Sequence, residues 1–388
     1  MLLVPDIAAR AADIADWRRT LHAMPEILYD LPDTAAFVAD KLRGFGCDEV
    51  VTEIGRTGVV GIVEGRGGSG GRTIGLRADM DALPIAEETG RPYASRRPGA
   101  MHACGHDGHM AMLLGAARHL AETRAFRGRV ALVFQPAEEG GAGALAMIED
   151  GLMERFGIEA VYGMHNLPGL PVGRMAMRPG PIMAATDEFE VTIRGRASHA
   201  ALPHEGSDPI LAGAALVQAL QQIPARNVDP LDSLVLSVTK FHSGFARNII
   251  PDEAQISGTV RSLTTASRDL AQRRIGAISD AIAAAHGAGA SVAYKRNYPV
   301  TVNDAREAAF CASVAAEVCG EAGVDANAPP LMAAEDFSFM LEARPGAFVF
   351  LGNGSTAGLH NPNYDFDDAA IPFGASYWVR LTERALKA

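Results

Sequence analysis

Residues 129–141 read RVALVFQPAEEGG. The apolar, β-rich run over 130–134 predicts a strand, and Pro136, which has no N–H to offer a ladder, ends it. Two carboxylates, Glu138 and Glu139, follow at once, and Gly140 and Gly141 let other backbone come close. In open α/β sheets ligands sit in the crevice outside the carboxyl ends of the strands, which is where this segment delivers its acids.

The pattern repeats outward. VVGIVEG (59–65), TIGLRAD (73–79), AVYGMHN (160–166) and AFVFLG (347–352) read as further strands, with HMAMLLGAARHLAE (109–122) and GALAMIED (143–150) as helices between them. This alternation predicts an α/β fold with a mixed sheet flanked by helices. Asp79 and Asp81 follow one strand, His165 another, and His360 comes shortly after AFVFLG. Cys104 and His106, in MHACGHDGH (101–109), immediately precede a helix beginning near Gly108, where the positive end of the helix dipole lowers a thiol's pKa and favours the thiolate.

From about Asp187 to Ala293 the order changes: FEVTIRG, a helix PILAGAALVQALQQI, SLVLSVTKF, AQISGTVRS, a helix RDLAQRRIGAISDAIAAAHG and ASVAYKR. Strand, helix, strand, strand, helix, strand is the ferredoxin-like pattern, large enough for its own two-layer core. The reading is therefore a catalytic domain over 1–183 and 298–388, interrupted by an inserted α+β domain over 184–297. The last part opens with NYPVTVND and a helix from Arg306 to Cys319.

Length agrees, since 388 residues exceed what one hydrophobic core usually supports. With 48% hydrophobic and 21% charged residues the chain buries a large core and carries no signature of disorder. A net charge of -11 repels phosphate backbones and anionic lipid, so nucleic acid is excluded as a partner. No stretch approaches the roughly 20 apolar residues that span a bilayer, so no membrane partner is expected. The N-terminus reads as one amphipathic helix through Ile7, Ala11, Ile14, Trp17 and Leu21, with no export signal. Cys47, Cys104, Cys311 and Cys319 form no disulfide framework in a chain of this size, and a reducing cytoplasm is expected.

Five residues in four stretches can ligate metal: Cys104, His106, Glu139, His165 and His360. A structural zinc site is usually cysteine-rich, close in sequence and closed by four ligands, whereas these are dispersed and include a carboxylate. Five ligands suffice for two divalent ions when one ligand or a water is shared. The partition adopted here has Cys104 bridging, His106 with His165 on one ion and Glu139 with His360 on the other. Glu138 is then the spare carboxylate, placed to take a proton from a bound water and return it to a leaving amine. Asp79 and Asp81 are read either as orienting a ligating imidazole or as capping the turn that follows, and His109, one helical turn from His106, as supporting that residue by hydrogen bonding. Mixed sulfur, nitrogen and oxygen donors accept Mn, Zn, Co or Ni. A zinc deaminase is set aside, because the H-x-E and P-C-x-x-C signature is missing.

MHACGHDGH, QPAEEGGAGA, GMHN, ASHAALPHEGSDPI, NIIPDEAQISGTVRS, AEDFSF and LHNPNYDFDD together resemble the N-acyl-amino-acid amidohydrolases of the hippurate hydrolase and auxin-conjugate hydrolase type, within the wider aminoacylase and carboxypeptidase superfamily. The resemblance runs from RRTLHAMPEI to the last motif; Asp30 stands where members often carry Glu. It implies a di-zinc-peptidase-like catalytic domain, an inserted lid or dimerisation domain, a small N-acyl amino acid as substrate and a homodimer or higher homo-oligomer through the inserted domain. It further implies that His199 reaches the substrate carbonyl, that Asn248 and Arg261 hold substrate, and that Glu335 supports the metal ligands. A dipeptidase or carboxypeptidase, or a catalytically silent binding protein, are the alternatives.

Overall fold

A computed structural model describes residues 2–67 and 70–387. The chain divides into two compact units, one of residues 1–180, 302–329 and 336–388, the other of residues 181–301 and 330–335.

The first unit is built on an eight-stranded mixed sheet. Its spatial order is Glu49–Ile54, Gly58–Glu64, Arg129–Gln135, Thr73–Asp79, Ile158–Leu167, Gly346–Gly352, Met175–Ala176 and Val324–Asp325. The four strands from Arg129–Gln135 to Gly346–Gly352 are parallel, while the Gly58–Glu64 side is joined antiparallel. Every residue of Thr73–Asp79 and Gly346–Gly352 is buried, as expected where helices cover both faces of a parallel sheet. The helix His106–Thr123 packs on Ala11–His22, Pro32–Phe45 and Ile371–Ala385, and its Met110, Leu113, Leu114 and Leu120 share one core with Trp378, Tyr377 and the strand residues Ile74 and Leu76.

The N-terminus departs from the single helix read in the sequence. Helices Pro5–Ala9 and Ala11–His22 are separated at Arg10, whose backbone leaves helical geometry at φ -101° and ψ 9° while its guanidinium engages Asp6 and Glu122. Among the described residues no helix is long and apolar enough to cross a membrane.

The second unit carries a four-stranded antiparallel sheet in the order Leu234–Ser243, Glu253–Ser262, Ala185–Arg194, Gly289–Arg296. Helices Pro209–Leu220 and Thr265–Ala285 cover one face, and Phe189, Val191, Ile193, Leu216, Ile256 and Ile275 fill the layer between. Both helices start as their sequences direct, with the Asp208 carboxylate accepting from the N–H groups of Ile210 and Leu211 and the Thr264 hydroxyl from that of Ser267. In chain order the strands lie second, third, first, fourth, which is ferredoxin-like topology. The segment 330–335 also belongs to this unit, and no periodicity in the sequence announces it.

Candidate metal centre

Strand register decides which side chains meet at the sheet edge. Arg77 pairs with Gly163 and Asp79 with Gln135, so Asp79 lies level with His165. Cys104 and His106 reach the same edge through Gly105, whose φ of 85° is left-handed and where a Cβ would fall 2.3 Å from Asn166 Nδ2 and 2.4 Å from the Tyr364 hydroxyl. Only glycine fits there. The helix begins at His106, two residues before the expected start.

The five proposed ligands are all in the first unit, and a chain of short contacts joins them. The Sγ of Cys104 is 3.3 Å from His165 Nε2. The ligand atoms of Cys104, His106 and Glu139 lie within 4.8 Å of one another. His360 Nε2 is 3.3 Å from Glu139 Oε1. His360 itself is held in left-handed backbone, φ 61°, with its N–H donating to the Ala103 carbonyl at 2.8 Å. A non-glycine residue in that conformation is costly and persists only where its surroundings impose it.

Hydrogen bonds aim the imidazoles. His106 Nδ1 donates to the Asp81 carbonyl and His165 Nδ1 to the Asn166 carbonyl, both at 2.7 Å, which turns each Nε2 toward the other candidate donors, Glu139 and Cys104. This is the manner in which ligating histidines are fixed in their tautomer. His106 Nε2 and Glu139 Oε1 are buried without a hydrogen bond. Buried polar atoms without hydrogen bonds are expensive, and sulfur, nitrogen and oxygen donors gathered this closely fit a divalent transition ion.

Asp79 and His109 are close enough to belong to a second group of possible ligands with His106 and His165, but their atoms are already engaged. Asp79 accepts from His109 Nδ1 at 2.6 Å and from Arg77 at 2.9 Å, and His109 Nε2 accepts the Asn166 N–H at 2.9 Å. His109 therefore supports Asp79 and Asn166 rather than His106. Arg77, fully buried, also donates to Gln135 and Asp336, tying three segments beneath the site.

Electrostatics corrects one expectation. Burial pushes the Cys104 thiol well above its ordinary value, and Glu139, Glu138 and Asp79 push it further, so the start of the helix does not by itself yield a thiolate. A bound cation would supply the charge that reverses this balance. Burial alone would lower His106, but Asp79, Asp81 and Glu139 outweigh it and raise the imidazole to about 10.

Glu138 is buried in a contorted loop. Ala137 and Ala142 have φ of 52° and 56°, and a Cβ on Gly143 would fall 1.6 Å from the Pro136 carbonyl oxygen. External bonds hold the loop: Ala137 N–H to the Leu28 carbonyl at 3.1 Å, the Tyr29 hydroxyl to Gly141 at 2.7 Å and Ala144 N–H to Asp336 at 2.9 Å. Asp81 accepts from the N–H of both Glu138 and Glu139.

His199, Asn248, Arg261 and Glu335 are in the second unit. His199 is exposed on Ser198–His199, paired with Ile249, and Asn248 is exposed beside it, its carbonyl accepting the Ala200 N–H at 3.0 Å. Arg261 is part-buried in a concavity of about 580 Å³ that Glu188, Lys240 and Tyr294 also line. Glu335 is buried, and its carbonyl accepts the Thr301 hydroxyl at 3.4 Å. Sequence reasoning passed over Asn166 and Tyr364, although both stand inside its motifs; an amide directly after a ligating histidine at a strand end was the available signal.

Residues 75–384 match the family model described as peptidase family M20/M25/M40. The hippurate hydrolase of Campylobacter jejuni is 43% identical over 387 residues, spanning 100% of both chains. The N-acetyl-L-cysteine deacetylase of Bacillus subtilis is 43% identical over 376 residues, 95% of this chain and 87% of that one. Among solved structures the YXEP protein of Bacillus subtilis, described as a dinuclear metal binding peptidase from the M20 family, superposes with a TM-score of 0.86 at 33% identity, covering 98% of this chain and 99% of that one. With its mixed sheet, its cluster of sulfur, nitrogen and oxygen donors at the strand ends and these relatives, the chain belongs to peptidase family M20/M25/M40 and is a hydrolase.

Proposed function

We propose that this protein hydrolyses the amide bond of N-acyl-L-amino acids, such as acetyl or benzoyl conjugates, to a carboxylic acid and a free amino acid. Two divalent ions, Mn, Zn, Co or Ni, would be held by Cys104, His106, Glu139, His165 and His360. When bound, such ions supply Lewis acidity, polarising a carbonyl and making a water easier to deprotonate. The remaining work falls to the chain. Glu138 takes a proton from the attacking water, whose oxygen adds to the carbonyl carbon. The same carboxylic acid then delivers that proton to the amine nitrogen as the C–N bond breaks. Asp81 holds the loop that carries Glu138, while the Asp81 and Asn166 carbonyls keep the imidazoles aimed and Asp79 braces His109 beside them. Arg261, whose guanidinium burial disfavours in its charged form, would receive the substrate carboxylate, with His199 and Asn248 contributing polar contacts.

The observation that carries the reading is the compact buried set of donors, Cys104, His106 and Glu139 with ligand atoms within 4.8 Å of one another, next in sequence to the buried Glu138. The substrate class follows the names of the relatives, hippurate hydrolase and N-acetyl-L-cysteine deacetylase, which both denote removal of an acyl group from an amino acid. The reading includes a homodimer or higher homo-oligomer through the second unit, where the edge strand Leu234–Ser243 carries the exposed Val235 and Phe241 and is followed by the exposed Phe245. Four free cysteines suit a reducing cytoplasm.

The test is hydrolysis of hippurate, N-acetyl amino acids and dipeptides by protein stripped with chelator and reloaded with each metal, beside Glu138→Gln. Metal-dependent release of amino acid from the N-acyl substrates is expected, falling roughly 10²- to 10⁴-fold in the variant with metal content unchanged. Cleavage of dipeptides alone would replace this substrate class, and undiminished activity of the variant would remove Glu138 as the base.

A further inference from the structure

The ligand-bearing segments lie far apart in sequence, yet one side chain touches three of them. Asn166, fully buried, donates from Nδ2 to the Cys104 carbonyl at 2.7 Å and accepts at Oδ1 from the Tyr364 hydroxyl at 2.8 Å. Its own backbone directly follows His165 and accepts that residue's Nδ1–H at 2.7 Å. Nδ2 also lies 3.1 Å from His109 Nε2, which the Asn166 backbone N–H reaches at 2.9 Å. The partners fix the amide's orientation. A backbone carbonyl requires the NH₂ on one side, and Tyr364, which accepts from Asn353 at 3.3 Å, has its proton free for the Asn166 oxygen. Tyr364 in turn closes a turn onto Asn361, donating its N–H to that carbonyl at 2.9 Å, and so bears on the residue directly after His360.

We propose that Asn166 is a positioning residue that sets the spacing of Cys104, His165 and His360 by holding their three segments on one amide. This rests on the metal-centre reading above. The geometry makes the choice of residue narrow. Alanine would leave the Cys104 carbonyl and the Tyr364 hydroxyl without their partner, and aspartate would face the Cys104 carbonyl with a second acceptor. A Cβ on Gly105 would collide with Asn166 Nδ2 and the Tyr364 hydroxyl, so these two side chains fill the space beside the helix start that glycine leaves. Loss of the amide therefore opens a space between the segments that carry Cys104, His165 and His360 and removes the bonds that join them.

The experiment uses the full chain, stripped of metal and titrated with cobalt(II), for wild type, Asn166→Ala and Tyr364→Phe. Calorimetry reads stoichiometry and affinity, the visible spectrum reads thiolate-to-cobalt charge transfer, and thermal unfolding of the stripped proteins reads fold. In Asn166→Ala, affinity for at least one cobalt ion is expected to fall about 10- to 100-fold, with an altered charge-transfer band. Tyr364→Phe removes a single hydroxyl and is expected to shift both in the same direction by less, at a nearly unchanged unfolding midpoint. Should Asn166→Ala fail to fold, Tyr364→Phe alone decides. Folded variants that bind cobalt with wild-type affinity and spectrum would overturn the proposal while leaving the metal centre intact. A wild type that takes up no cobalt would overturn both.

Discussion

The Asp81 carboxylate accepts the backbone N–H of Glu138 at 2.9 Å through one oxygen and that of Glu139 at 3.1 Å through the other. A single buried side chain thereby sets the height of two adjacent acids above the sheet edge, one proposed as base and one as ligand. Burial raises the Asp81 carboxyl, and nearby Glu139 adds to this, while His106 and the Glu138 N–H oppose it. Asp81→Ala is expected to weaken metal binding and activity together, by about 10- to 100-fold, because two backbone donors lose their shared acceptor. Asp81→Asn, which keeps one acceptor oxygen, should fall between. Parallel measurement of metal affinity and kcat checks this, and an Asp81→Ala enzyme with wild-type metal affinity would contradict it.

Removal of metal should be felt in stability as well as in rate. His106 Nε2 and Glu139 Oε1 are buried and brought together with Cys104 only by the fold, so a ligand that meets them binds the folded chain in preference to the unfolded one. Unfolding of stripped protein is expected at a lower temperature, and readdition should restore about 2.7 kcal/mol when free metal is 100 times Kd. Scanning calorimetry at a series of metal concentrations gives the answer. A midpoint independent of metal would show that these atoms bind none.

The second unit has its own point of weakness. Arg268 donates from Nε to Asp187 at 3.0 Å, and the Tyr294 hydroxyl donates to the same carboxylate at 2.7 Å. Asp187 is only 1% exposed. Arg268→Met leaves that carboxylate in the core without its countercharge, and a loss of about 3–5 kcal/mol is expected. Converting both partners, Arg268→Met with Asp187→Asn, should recover a large part of it. Chemical denaturation of the three proteins measures the difference.

Glu87 predicts a response to acid. Burial would raise its carboxyl, but hydrogen bonds from His22, Thr89 and the Ser95 N–H outweigh that and hold it at about 2. A folded value below the unfolded one, about 4.3, contributes stability that is complete above the unfolded value and fades as pH falls toward the folded one. Stability of the wild type should therefore drop between about pH 4 and 2 more steeply than that of Glu87→Gln. Equal slopes in acid titrations followed by circular dichroism would exclude this role.

How much of this was legible in the chain depends on distance along it. The strands Thr73–Asp79, Arg129–Gln135 and Ile158–Leu167 announce themselves because apolar β-rich runs give way to polar residues, and the two helices of the second unit because Asp208-Pro209 and Thr264 mark their starts. The residues that hold the site together do not, since Asn166 and Tyr364 stand 198 positions apart, and nothing local says they meet. The break at Arg10 was hidden for the opposite reason, as the apolar period runs across it and only ion pairs to Asp6 and Glu122 reveal the kink. The thiol of Cys104 was misjudged because the helix start is visible in sequence whereas the burial and the three carboxylates around it are not.

The backbone of the loop from Ala137 to Ala142 bends into left-handed geometry at two alanines, which would not choose it, and is held there by Leu28, Tyr29, Asp81 and Asp336. The shape belongs to the surroundings and not to the segment. A peptide of these residues, or the same string grafted onto another scaffold, would relax and let its two acids part. Transplanting this chemistry therefore means moving the clamp together with the loop, from four places in the sequence at once.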